Sequence, residues 1–180
     1  MKFEEMGLDG VVLVKFDVSA DDRGWFFESY NGRAFAETGI DASFVQDNQA
    51  QSEAGVVRGL HFQQPKSQGK LVSVITGAIY DVAVDIRRSS ANFGKWIGVE
   101  LSASTQQALW VPPGFAHGYQ ALGEGASVLY KVTNFWSPAD EHTICWDDPA
   151  LSISWPLPCT SISAKDQTAK TLADQSTLPP

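Results

Sequence analysis

The feature that most constrains this chain is a period of two. Residues 82 to 87 read Val-Ala-Val-Asp-Ile-Arg, so Val82, Val84 and Ile86 share one face, and Ile97, Val99 and Leu101 repeat the pattern downstream. Such alternation fits a strand with one buried side, and both segments are predicted to be half-buried strands. Further β-rich runs lie at Val11 to Phe16, Leu71 to Ile75 and Ser127 to Val132. Turn chemistry separates them at Thr76-Gly77, Pro112-Pro113-Gly114 and Gly123-Glu124-Gly125. Helical patterning is scarce. Asn31 to Thr38 reads as one helix, with Asn31 as N-cap and Gly39 just past the end, and a second short one begins near Ser163. Many short strands without helices between them point to a mainly β fold, a sandwich or jelly-roll β-barrel with few short helices, and the barrel is the expectation.

Composition then bounds size and class. With 180 residues, 43% of them hydrophobic, the chain can fill one good core. No internal repeat, charge block or Pro/Gly-rich linker divides it, so a single domain over residues 1–180 is expected, with a loosely held tail at 171–180. Acidic residues outnumber basic ones, 21 to 13, for a net charge of −8, the wrong sign for binding a nucleic-acid backbone. No apolar run is long enough to cross a bilayer, and Met1-Lys2-Phe3-Glu4-Glu5 lacks the character of a signal peptide, so the expectation is a soluble cytoplasmic protein without a membrane partner. Cys145 and Cys159 match neither a zinc spacing nor a disulfide scaffold, and reduced structural thiols are expected.

The chemistry is concentrated in Asp22-Arg23-Gly24, Gln46-Asp47-Asn48, Arg58 to Gln63, Gln68-Gly69-Lys70 and Phe115 to Gly118. His61 lies among apolar and aromatic residues, as either a hydrogen-bonded structural histidine or a general base with Asp81, Asp85 or Asp166 as its orienting carboxylate. Jelly rolls often hold a metal on two or three histidines, but among His61, His117 and His142 there is no His-x-His pair, so no metal is expected. Arg23, Arg58 and Lys70 are cations beside glycines, suited to a phosphate group. The alternative for the two arginines is pairing with Asp22 or Glu53 in turns. Trp25, Phe26 and Phe27 form either core or a platform for a base. Tyr130 shares a strand face with Val128 and Val132 and should point into the barrel, as a structural phenol or a proton donor.

Taken in order, these segments resemble the dTDP-4-dehydrorhamnose 3,5-epimerase family. Landmarks include Asp22-Arg23-Gly24, Gln46-x-Asn48, Arg58-Gly59-Leu60-His61-Phe62-Gln63, Gln68-Gly69-Lys70-Leu71, Gly77-x-Ile79-x-Asp81-Val82, Pro113 to Gly118, Trp146-x-Asp148-Pro149 and Ser163-Ala164-Lys165-Asp166, from about residue 10 to 166. The resemblance implies a cupin-type jelly-roll homodimer without metal or cofactor, acting on the dTDP-sugar dTDP-4-dehydro-6-deoxy-D-glucose. By the family's pattern His61 matches the base, Asp166 its carboxylate partner, Lys70 the cation near the C4 oxygen and Tyr130 the acid. Arg23, Glu28, Gln46, Asn48, Arg58 and His117 match nucleotide- or substrate-binding positions. The segment from Arg23 to Glu28, Phe26 included, is expected to reach partly into the second subunit's site.

The roles agree with elementary chemistry. A proton beside a ketone is weakly acidic, so an imidazole removes it usefully only where the developing enolate meets fixed charge, as Lys70 would supply. Inversion further requires base and acid on opposite faces of the ring, hence two groups. Trp136 stands where many members of the family carry tyrosine, and an indole can stack on a base but cannot act as a second acid. Epimerases working at C3 or C5 alone share most of these motifs and form the alternative, with a non-catalytic nucleotide-sugar binding protein as the reading from another class.

Overall fold

A computed structural model describes residues 1–180. In chain order it contains β1 (Lys2–Glu5), β2 (Val12–Lys15), β3 (Ser19–Asp21), β4 (Gly24–Phe26), α1 (Gly32–Glu37), β5 (Gln46–Ser52) and β6 (Val57–Gln63). The long strand β7 (Lys70–Asp85) follows, then β8 (Trp96–Ser102), β9 (Gln107–Val111), the equally long β10 (Phe115–Val132), β11 (Glu141–Thr143) and α2 (Ala164–Gln167).

Strands β7 and β10 pair antiparallel along almost their whole length, from Phe115↔Asp85 to Val132↔Lys70, and are the frame of the molecule. Their two halves belong to different sheets. Residues 70–73 of β7 pair with β9, which continues through β2 to β1, while β5 joins the far half of β10. Residues 78–84 pair instead with β8, while β6 and then β11 join the near half of β10. The result is the jelly-roll barrel expected from the strand pattern.

The crease between the halves corrects the expected turns at Thr76-Gly77 and Gly123-Glu124-Gly125. Both are bulged bends inside continuous strands, with the register slipping between Leu122 and Ala126. Glycine is required here: Gly77 has φ +74° and a Cβ on it would stand 1.9 Å from the Gly125 carbonyl oxygen. The Pro112 to Gly114 segment is a true turn between β9 and β10.

The main core lies between the sheets and includes Val72, Val74, Ile79, Ala83, Leu101, Leu109, Phe115 and Val128. The expected half-burial of residues 82 to 87 is also corrected. Val82, Val84 and Ile86 face away from that core yet are fully buried, because Ile144, Leu151 and Leu172 of the C-terminal segment cover them. The 171–180 tail, expected to be loosely held, makes defined contacts. Leu172 is buried and its amide donates to Asp148 at 2.7 Å, Gln175 donates to the Thr143 carbonyl at 2.8 Å, and the Pro179 carbonyl accepts from Arg88 at 3.0 Å.

Both helices lie where the sequence places them. The Asn31 side chain accepts from the amides of Arg33 and Ala34 at 3.0 and 3.2 Å, and Gly39 carries the left-handed exit at φ +85°. The Ser163 hydroxyl caps α2 by accepting from the Asp166 amide at 3.1 Å, which fixes Asp166 in the first turn. Cys145 and Cys159 are free thiols, and no helix is long and apolar enough to cross a membrane.

Candidate active site

The site opens between the two sheets. Strand β5 turns its alternate residues Gln46, Asn48 and Ala50 inward and exposes Asp47, Gln49 and Gln51, so a strand with polar inward positions furnishes one wall. Tyr130 lies opposite Asn48 on the neighbouring strand. From the other sheet, His61 and His117 sit opposite each other on β6 and β10. A cavity of about 290 Å³ lies here, and its lining includes Gln46, Asn48, His61, Lys70, Tyr130 and Trp136. A second recess of about 170 Å³ adds Arg58, His117 and Tyr119, and the two spaces share His61, Lys70, Tyr130 and Glu141.

The three candidate carboxylates separate cleanly. Asp166, nearly inaccessible to solvent, meets His61 Nε2 through Oδ1 at 2.8 Å. Asp81 instead meets His117 Nε2 at 2.7 Å, and Asp85 is held by Arg87 and Ser90, each at 2.6 Å. Burial pushes the Asp166 carboxyl up, but the His61 and Ser163 donors outweigh it and hold the group below its ordinary value. An ionised Asp166 can only accept, so the neutral imidazole donates from Nε2 and leaves Nδ1 with the free lone pair. Burial is also the largest influence on His61 and lowers its pKa in spite of Asp166. The histidine therefore rests neutral near pH 7, as a base must.

Lys70 is buried and its ammonium donates to the His61 carbonyl at 3.3 Å. Desolvation brings its pKa down to about 8, opposed by the charges of Asp81 and Glu141, so it remains largely protonated at neutral pH. Asp81 Oδ2 is buried with no hydrogen-bond partner. Burial raises the pKa of Tyr130, so its phenol keeps its proton. Arg58 donates to the Ser52 hydroxyl at 2.9 Å and the Gln51 carbonyl at 3.0 Å, and Ser52 lies 3.1 Å from the Tyr119 hydroxyl. The pairing of Arg58 with Glu53 considered from sequence is replaced by these contacts.

Seven of the expected residues, His61, Lys70, Tyr130, Gln46, Asn48, Arg58 and His117, line the joined cavities, and Asp166 stands behind His61. Arg23, Phe26 and Glu28 do not. The Arg23 side chain is 90% exposed and pairs with Asp21 at 2.5 Å rather than with Asp22. Phe26 is 74% exposed on the β3–β4 hairpin, and Glu28 accepts from Asn31 Nδ2 at 2.8 and 3.0 Å. His142 stacks on Phe62, with ring centroids 5.1 Å apart. No cluster of three or more His, Cys, Asp or Glu side chains is arranged to hold a metal ion.

Sequence reasoning missed Glu141. It lines both spaces and pairs with Lys165 at 2.8 Å; burial pushes its carboxyl up, but Lys165, His61 and Trp136 bring it below its ordinary value. A three-residue strand in a polar stretch gives no periodicity by which to find it.

A neutral imidazole backed by a carboxylate, beside a buried ammonium, defines an acid–base enzyme on a jelly-roll scaffold, built to move protons next to a carbonyl. Within that class the particular assignment comes from the dTDP-4-dehydrorhamnose 3,5-epimerase model, which matches residues 5–174. The chain belongs to that family. It is 49% identical to the dTDP-4-dehydrorhamnose 3,5-epimerase of Pseudomonas aeruginosa over 99% of this chain and 100% of that one. The crystal structure of the Legionella pneumophila dTDP-6-deoxy-D-glucose-3,5-epimerase, in complex with dTDP-4-keto-L-rhamnose, superposes with a TM-score of 0.95 at 42% identity, covering 99% of this chain and 97% of that one. A 4-keto-6-deoxy sugar epimerase from the novobiocin biosynthetic gene cluster of Streptomyces spheroides gives a TM-score of 0.95 at 36% identity, covering 99% and 92%.

Proposed function

We propose that this protein converts dTDP-4-dehydro-6-deoxy-D-glucose into dTDP-4-dehydro-L-rhamnose by inverting C3 and C5. The observation that carries the reading is the His61–Asp166 dyad, a neutral, half-buried imidazole held by a buried carboxylate, in one cavity with Lys70 and Tyr130. In each half-reaction His61 takes the proton beside the C4 ketone, and the electron pair of the broken C–H bond moves into an enolate. The resulting imidazolium is stabilised by Asp166, and the enolate oxygen by the Lys70 ammonium. Tyr130 then delivers a proton to the carbon from the opposite face, which inverts the centre; its phenolate recovers a proton from solvent and the His61 imidazolium releases one, so both groups are reset for the second centre. Arg58 and His117, with Gln46 and Asn48, bind the substrate's polar groups.

The whole chain, 1–180, works as one domain and as a homodimer. Support for the dimer is the separation of Arg23, Phe26 and Glu28 from their own cavity, together with an apolar recess of about 460 Å³ that includes Phe16, Trp25, Phe27, Leu71, Val74 and Ile75. A second copy would cover that recess and receive the exposed hairpin beside its own site. The enzyme works in the cytoplasm, where free thiols such as Cys145 and Cys159 persist.

Incubation with the keto sugar in deuterium oxide tests the reading. NMR should find deuterium at both C3 and C5 of the product; label at one position alone identifies a single-position epimerase, and no exchange at all identifies a binding protein. In Tyr130→Phe, solvent exchange should persist through His61 while inversion falls sharply. Normal inversion in that variant would remove Tyr130 as the acid.

A further inference from the structure

Two loops, residues 64–69 and 133–140, each lend a side chain to the cavity wall, Gln68 and Trp136, and one buried carboxamide joins them. Gln63 Nε2 donates to the Lys66 carbonyl at 2.9 Å and the Phe135 carbonyl at 3.2 Å, while its Oε1 accepts from the Ser137 amide at 2.9 Å. Gln63 is 4% exposed and borders the cavity, yet both its amide nitrogen and its oxygen are committed to backbone. Smaller contacts extend the clasp: Gln68 donates to the Asn134 carbonyl at 2.8 Å and Asn134 Nδ2 to the Ser67 carbonyl at 2.7 Å. From β5, Gln46 Oε1 accepts the Trp136 amide at 3.0 Å. The backbone is therefore pinned on both sides of Trp136 and at its own amide, while its indole, 54% exposed, forms part of the outer wall.

We propose that Gln63 is a positioning residue that, through the 133–140 loop, holds Trp136 against the bound nucleotide sugar and so sets affinity rather than the rate of proton transfer. An aromatic wall on an unpinned loop would have to be ordered at the moment of binding, and that entropy is subtracted from affinity. The proton-transfer groups have anchors of their own, Asp166 for His61 and the paired strand β7 for Lys70. The inference rests on the epimerase reading for its kinetic arm only.

The test uses Gln63→Met, which keeps length and removes the hydrogen bonds, read both by steady-state kinetics on the keto sugar and by titration with dTDP, following tryptophan fluorescence. KM and the dTDP dissociation constant should each rise about tenfold or more, with kcat within about threefold of the parent. Trp136→Leu should show the same pattern, and the double variant should be little worse than either single one, because both changes remove one wall. Trp136→Phe assigns the fluorescence signal. Unchanged KM and dTDP affinity in Gln63→Met, a fall in kcat alone, or losses that add in the double variant would each overturn the proposal. Should Gln63→Met fail to fold, Asn134→Ala cuts the exposed end of the clasp, and unchanged dTDP affinity there would also overturn it. Parent protein that does not turn over the keto sugar overturns the epimerase reading instead, and the dTDP titration still decides the role of Gln63.

Discussion

At the scale of residues, burial and pairing pull in opposite directions, and the balance decides which group rests neutral and which stays charged. His61 is the clearest case, since desolvation keeps it neutral while Asp166 fixes its tautomer. His61→Asn should lower kcat by at least about 10²-fold with the fold intact by circular dichroism, because general-base catalysis contributes about 10² to 10⁴. Asp166→Asn should fall less, since the imidazole remains. Near-normal turnover in His61→Asn would make that residue structural. The same balance fixes the pH profile. His61 protonates below its ordinary value of about 6.5, so the acid limb of kcat/KM should lie below that pH. Lys70 loses its charge near 8, so activity should also decline above about that pH. Lys70→Arg stays charged, and its residual activity should lose the alkaline limb while keeping the acid one. An alkaline limb unchanged in that variant would assign it to another group.

At the scale of elements, the two long strands govern the site because each serves both sheets. Lys70 begins β7, while His117 and Tyr130 lie on the two halves of β10, so the crease at Gly77 and Gly125 sets their mutual placement. Gly77→Ala would force a Cβ into the Gly125 carbonyl at a positive φ, and should destabilise the fold by about 2 kcal/mol or more in denaturant unfolding. A loss under about 0.5 kcal/mol would show that the bend tolerates a side chain. These elements also mark the limit of what was legible. The alternation in 82–87 and 97–101 revealed strands because apolar residues lined one face. Strand β5 was hidden, since its inward residues Gln46 and Asn48 are polar for the sake of the site. The bends read as turns because glycine signals a positive φ without saying whether the chain reverses or only folds over.

At the scale of the whole molecule, the chain leaves part of its expected site outside its own cavity. Trp25, 63% exposed, and Phe26 sit on a hairpin detached from the main sheet, and Arg23 is at its tip. Light scattering should give the mass of a dimer, and Phe26→Asp should weaken substrate binding while leaving His61 and Lys70 in place. A fully active monomer, or unchanged KM in Phe26→Asp, would return the hairpin to a local role. The C-terminal segment has the complementary task. By covering Val82, Val84 and Ile86 it converts a one-faced sheet into one buried on both sides, so the tail belongs to the second core.

What the sequence determined by itself was whatever is written in neighbouring residues. Alternation specified strands, Asn31 and Ser163 specified helix starts, and the motif order from Asp22 to Asp166 specified the family and named most of the polar residues that the fold gathers around the cavity. Tertiary structure alone decided which groups meet. Asp81, Asp85 and Asp166 are the same residue type, and nothing in their spacing says that Asp166, 105 positions from His61, is its partner while Asp81 belongs to His117. Glu141 and the Gln63 clasp were invisible for the same reason. Hydrogen bonds and desolvation act over a few ångströms of space, and the fold, not chain proximity, brings those groups within reach of each other.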